Sequence, residues 1–227
     1  KDTPLRPYRL IWAFRLLFCA LLITALLPAR PAWAALSQDA GGFSTAFLIP
    51  RADASILLEA HSGKILYADQ AELALPPAST TKVLTALLAL DMNADLEKQR
   101  LISRRAAAVG DSSLHLRAGE SLTLTDLLKG ALVHSGNDAC YAVAEILAGS
   151  EPLFVHWMNM KAAVLGAYSV RMDNTNGLPC STHLLSAADL ARLCRYAMQN
   201  EFFASVVASK YISLGEGASA RRYQNTN

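Results

Sequence analysis

A serine hydroxyl attacks a carbonyl only when a nearby base takes its proton. Ser79-Thr80-Thr81-Lys82 sets a hydroxyl and an amine three residues apart. On a helix that spacing is about one turn, so both side chains share a face. Lysine is protonated at neutral pH unless burial or a neighbouring cation lowers its pKa. Lys82 is followed by Val83, Leu84 and Leu87, a setting suited to desolvation. Ser79 near a helix start also places backbone N–H groups beside an oxygen that turns negative during acyl transfer. Fifty-six residues on, Ser135-Gly136-Asn137 adds a second hydroxyl and an amide. Ser135 can relay a proton from Lys82 to a leaving amine. Asn137 can hydrogen-bond a substrate amide and hold its loop. The plainer alternative is that Ser79, after Pro76-Pro77, is an N-cap and Lys82 a surface residue. His134, beside Ser135, is a weaker candidate base, because Lys82 already fills that role.

The elements that must position these residues are mixed. Ala54 to Glu59 and Lys64 to Asp69 are apolar runs around Ala60-His61-Ser62-Gly63, a hairpin signal. Ser79 to Leu90 has no internal Gly or Pro and is apolar almost all round, which predicts a buried helix. Thr125 to Leu132 and Asp138 to Ala148 read as helices flanking the Ser135 turn. Glu151 to Leu165 and Ala187 to Met198 read as two more. Asn174 to Pro179 is a loop rich in turn residues.

The ends carry a different message. Lys1, Arg6, Arg9 and Arg15 precede an apolar run of 12 residues, Leu16 to Leu27, broken only by Thr24. Ala32-Trp33-Ala34 then offers an A-x-A cleavage site, so residues 1–34 read as a secretory signal. The run is shorter than the roughly 20 residues of a membrane span. An uncleaved anchor, lengthened by Ile11 to Phe14, is the alternative. Cleavage takes five of 21 Lys/Arg and one of 19 Asp/Glu, turning a net charge of +2 into −2. The basicity belongs to the targeting segment, and no basic patch with interleaved aromatics suggests nucleic acid. Residues 35–227 suffice for one sizeable core.

Cys19 leaves with the signal, and Cys140, Cys180 and Cys194 remain. Three is odd, so at least one stays free or pairs outside the chain. Cys140 and Cys194 sit in apolar, helix-like stretches and read as buried small hydrophobes. No metal-ligand spacing is present.

Pro77 to Ala86 (PASTTKVLTA) closely resembles the active-site stretch of the D-alanyl-D-alanine carboxypeptidases, the low-molecular-mass penicillin-binding proteins. So do Leu127 to Ala139 (LLKGALVHSGNDA), Phe154 to Gly166 (FVHWMNMKAAVLG) and Asp173 to Leu178 (DNTNGL). The likeness runs in order from about Ala54 to the end.

The resemblance implies an α/β (α+β) fold of the β-lactamase/transpeptidase-like class, a sheet flanked by helices with a helical lobe. It implies that Ser79 attacks the D-Ala–D-Ala bond of a peptidoglycan stem peptide. Lys82 would accept the proton, and Ser135 and Asn137 would complete the cleft. β-Lactam antibiotics would acylate Ser79 as substrate mimics. No cofactor or metal is needed. The enzyme would act outside the cytoplasmic membrane, in the cell envelope. The family's third motif, K-T-G, follows an Asn-Thr-Asn stretch like Asn225-Thr226-Asn227. Within these 227 residues no Lys precedes Ser-Gly or Thr-Gly. The expectation is a catalytic domain over 35–227 truncated before that strand, its sheet incomplete and its substrate carboxylate without a cation. A competent enzyme would need the strand. Membrane association through a further C-terminal region stays open. Two rivals remain: a serine β-lactamase, for which no deacylating Glu is evident after Gly166, and a non-catalytic wall-binding domain of the same fold.

Overall fold

The computed structural model describes residues 52–215, 217 and 220–226. The signal-segment reading of residues 1–34, and Cys19 with it, lies outside the described residues. Among them, no helix is long and apolar enough to cross a membrane.

The predicted hairpin forms. Strand β1 (Ser55–Leu58) pairs antiparallel with β2 (Ile65–Asp69), and Ser55 opposes Asp69. Glu59 folds back to accept hydrogen bonds from the backbone N–H groups of His61 and Ser62, tightening the turn. Its carboxyl is held down at about 2, chiefly by the Ser62 hydroxyl and backbone N–H. β3 (Ala74–Leu75) leads through Pro76-Pro77 into a 3-10 turn at Ala78–Thr80. Helix α1 (Thr81–Asp91) follows directly. The helix expected from Ser79 thus begins two residues later. Proline has no N–H and Ala78 takes a left-handed φ of 48°, so the chain enters through a tighter turn.

β4 (Arg100–Leu101), α2 (Arg104–Ala107) and β5 (Ser121–Leu122) build a small satellite. Helices α3 (Leu124–Val133), α4 (Asn137–Ala148) and α5 (Glu151–Val164) fall within a residue or so of their predicted bounds. Thr123 and Asp126 form a reciprocal capping box that fixes the α3 start. β6 (Leu185–Ser186) pairs with β3 and opens α6 (Ala187–Ala197), whose cap Ser186 accepts from Asp189 N–H. The sequence reading did not place α7 (Glu201–Val207) or the hairpin of β7 (Tyr211–Leu214) and β8 (Arg221–Gln224).

Helix α1 is the hub, packed on α3, α4, α5 and α6. Eight of its eleven residues are buried. The core around it gathers Leu84, Leu87, Leu127, Leu128, Phe154 and Met158. The β1–β2 hairpin docks on α6, with Arg195 donating to the Ala60 and His61 carbonyls. Its Leu57, Ile65 and Leu66 are exposed. The β7–β8 hairpin packs on α3. Every sheet among the described residues has two strands, so the sheet is small and incomplete, as expected.

Candidate active site

A buried helix can hold polar side chains only if each finds a partner. Helix α1 buries three, Thr81, Lys82 and Thr85. One loop serves all of them. Thr85 Oγ1 donates to the Thr175 carbonyl at 2.7 Å. Lys82 Nζ donates to the Asn176 carbonyl at 2.8 Å. Thr81 Oγ1 meets His183 Nε2 at 2.8 Å. His183 Nδ1 accepts the Asp173 N–H at 3.0 Å, so the ring is neutral with its proton on Nε2. Burial pushes the His183 pKa below its ordinary value against the opposing pull of Asp173.

The same loop is braced internally. Asn174 Oδ1 accepts from the backbone N–H of Asn176 and Gly177, and Asn176 Oδ1 accepts from Leu178 N–H. These are the Asx turns that Asn-rich loops favour.

On this platform Lys82 Nζ stands 3.1 Å from Ser79 Oγ. The predicted pair therefore meets, although Ser79 sits on the 3-10 turn and Lys82 on α1. Lys82 is only 3% exposed. Burial lowers its pKa below the ordinary 10.5, while Cys140 and Asp138 push the other way. A neutral amine here has one N–H engaged by Asn176 O and a lone pair available to Ser79 Oγ–H. That is the arrangement a serine nucleophile requires.

Ser79, Lys82 and Ser135 share a cleft of about 290 Å³, whose other walls include Phe203, Val207 and Thr226. Ser135 links α3 to α4 and holds a left-handed φ of 62°. A non-glycine residue held there stores strain, a common feature of functional turns. Gly136 follows because a side chain would strike Leu114, with a Cβ only 2.7 Å from Leu114 Cγ.

Asn137 is placed differently. It begins α4, is buried, and sends Nδ2 to the Gly110 carbonyl at 3.1 Å, while its N–H reaches Ser112 O. It holds the 110–116 loop beside the cleft and is not among the cleft-lining residues. Asp138 continues the job, accepting from the backbone N–H groups of Leu114 and Leu116 and from Ser113 Oγ. His134 packs its ring on Tyr223 of β8, centroids 4.8 Å apart.

Cys140 is buried, and burial pushes its thiol up to about 12, a small inert hydrophobe as its helix context suggested. Cys194 is partly buried and its thiol is likewise raised by burial, whereas Cys180 is exposed. All three are free. Among the described residues no group of His, Cys, Asp or Glu could hold a metal ion.

Sequence reasoning missed Thr175, Asn176 and Gly177 as the support of Lys82, and Phe203, Val207 and Thr226 as cleft walls. Carbonyl acceptors leave no side-chain signature. The Asn-rich loop itself was the available signal.

A family model described as D-alanyl-D-alanine carboxypeptidase matches residues 44–227. The D-alanyl-D-alanine carboxypeptidase DacF of Bacillus subtilis is 37% identical over 194 residues, covering 82% of this chain. The chain spans 48% of that relative's length. Among solved structures, a D-alanyl-D-alanine carboxypeptidase from Mycobacterium tuberculosis superposes with a TM-score of 0.76 at 33% identity, covering 83% of this chain and 70% of the other. Penicillin binding protein 6B from Escherichia coli gives 0.70 at 27% identity, covering 79% and 60%. The mixed helix and strand fold is thus that of the penicillin-binding, transpeptidase-like proteins.

Proposed function

Because the chain belongs to the D-alanyl-D-alanine carboxypeptidase family, we propose that it serves as a serine-type carboxypeptidase. It removes the terminal D-Ala from peptidoglycan stem peptides that end in D-Ala–D-Ala. Ser79 Oγ attacks the carbonyl carbon of the penultimate D-Ala as its proton passes to Lys82 Nζ. The C–N bond then breaks, and the leaving amine takes a proton delivered through Lys82 and Ser135. Water attacks the resulting Ser79 ester and releases the shortened peptide. Asn137 keeps the loop beside Ser135 in place. A β-lactam follows the first half of this route and stays attached to Ser79. The basic start, the 12-residue apolar run and Ala32-Trp33-Ala34 support action outside the cytoplasmic membrane.

The observation that carries this reading is the 3.1 Å approach of a buried lysine amine to Ser79 Oγ. Labelled penicillin, followed by peptide mass mapping of the full-length protein, tests it. The expected adduct is on Ser79 and vanishes in Ser79→Ala. Label on Ser135, or label surviving Ser79→Ala, overturns the assignment.

A further inference from the structure

Glu151 opens helix α5, where an acidic residue is ordinarily explained by the helix dipole. Its hydrogen bonds run elsewhere. Oε1 accepts from the Thr175 backbone N–H at 3.0 Å and from Thr175 Oγ1 at 2.7 Å, 24 residues along the chain. Thr175 is fully buried. Its third polar group, the carbonyl, receives Thr85 Oγ1. Both Thr175 donors therefore depend on one carboxylate oxygen, and without it two buried groups are orphaned. The next carbonyl along the chain is that of Asn176, the acceptor for Lys82 Nζ. Only the φ and ψ of Asn176 separate the two carbonyls, and its N–H is pinned by Asn174 Oδ1, so a shift of Thr175 reaches that carbonyl.

We infer that Glu151, outside the cleft lining, is a positioning residue for the base: by holding Thr175 it fixes the Asn176 carbonyl that aims the Lys82 amine at Ser79. The inference rests on the reading of Lys82 as proton acceptor. The role is one of reach, not of charge. The hydrogen bonds of Glu151 Oε1 both end on Thr175, and none reaches the Lys82 amine. What Thr175 needs is an acceptor oxygen at the end of a side chain of this length. Glutamine supplies that oxygen without the charge. Aspartate keeps the charge but falls one methylene short.

Two substitutions in the full-length protein separate these properties. Acylation by a fluorescent penicillin is followed at several concentrations, at a temperature where circular dichroism shows each variant fully folded. Glu151→Asp is expected to lower the first-order acylation constant about ten- to a hundredfold, the scale of a small misplacement of a catalytic group. The dissociation constant of the non-covalent complex should barely change, since Glu151 does not line the cleft. Glu151→Gln should acylate within about threefold of the parent, because its carbonyl oxygen can take both bonds. Should Glu151→Asp fail to fold, Thr175→Ala, which deletes the shorter contact, takes its place with the same expected direction. Parental acylation by Glu151→Asp, or a loss that Glu151→Gln shares, overturns the role alone. A parent that is not labelled at Ser79 overturns the functional reading, and this role with it.

Discussion

Gly177 faces the backbone of Ala78 so closely that a Cβ on it would lie 1.8 Å from the Ala78 carbonyl oxygen. Ala78 immediately precedes Ser79, and its φ of 48° is itself left-handed. Gly177 has a φ of 89°, so glycine is required there twice, for conformation and for space. The contact presses the loop that supports Lys82 against the turn that carries Ser79.

Gly177→Ala should therefore harm activity beyond its effect on stability. The clash is with backbone and has no flexible side chain to absorb it, so the loop or the turn must move. We expect about 1–3 kcal/mol of destabilisation, the usual range for overpacking. Penicillin acylation should fall at least about tenfold under conditions where the variant is folded. Thermal melts and acylation kinetics on one preparation check both. A parental acylation rate would show that the Ala78 contact does not govern Ser79.

Acylation should also report the state of Lys82. The amine accepts a proton only when neutral, so the rate constant should rise with pH and level off above the Lys82 pKa. Burial sets that pKa below 10.5, so the midpoint should fall below the ordinary lysine value. Lys82→Arg should abolish acylation while the fold persists, because arginine stays charged and cannot act as the base. Stopped-flow acylation across the alkaline range gives the midpoint. An arginine variant within a few-fold of the parent would remove Lys82 from the role.

His183 gives the fold a pH dependence of definite sign. Its Nδ1 must stay unprotonated to accept the Asp173 N–H, and burial lowers its folded pKa. The unfolded ring titrates near 6.5. Below about that pH the unfolded chain binds more protons than the folded one, so stability rises with pH across the window. The His183 contribution is complete above about 6.5 and is lost as the pH falls toward the lowered folded value. Chemical denaturation of the parent and of His183→Gln at a series of pH values between about 7.5 and 5 isolates it. The stability gap between the two should narrow with acid, and a constant gap would contradict the neutral clamp.

The pattern of what was legible in the sequence has a physical explanation. Helices α3, α4 and α5 announce themselves through apolar stretches around the Ser135 turn, and the structure places them within a residue or so, whereas α1, equally apolar, begins two residues after the expected Ser79. Ser79 and Lys82 were legible because nucleophile and base lie one turn apart on a continuous segment. The 3-10 entry at Ala78 was not, since the left-handed Ala78 that opens it lies against Gly177, 99 residues along the chain. The support for Lys82 was hidden for a similar reason. It consists of the carbonyls of Thr175 and Asn176, which every residue possesses, and only the fold decides where they point. Helix α7 and the β7–β8 hairpin are short and lean on α3, so local periodicity says little about them.

The last prediction concerns Leu114, which joins the Ser135 turn to the rest of the molecule. It is fully buried, and its side chain occupies the space that a Cβ on Gly130 or Gly136 would need, at 2.3 and 2.7 Å. Asp138 holds its backbone N–H, and its carbonyl accepts from Tyr223 Oη at 2.7 Å. The two glycines are thus the hole into which this leucine fits. Leu114→Ala would leave that hole open between rigid helix backbones that cannot collapse into it. The expected loss is about 3–5 kcal/mol, the upper part of the range for Leu→Ala in cores. The Ser135 turn would also lose the contact behind Gly136, so acylation should slow even in the folded fraction. Urea denaturation gives the first quantity, and penicillin acylation at low temperature the second. A loss under about 1 kcal/mol would mean that the site relaxes around the missing side chain and that Leu114 is not the wedge between Gly130 and Gly136.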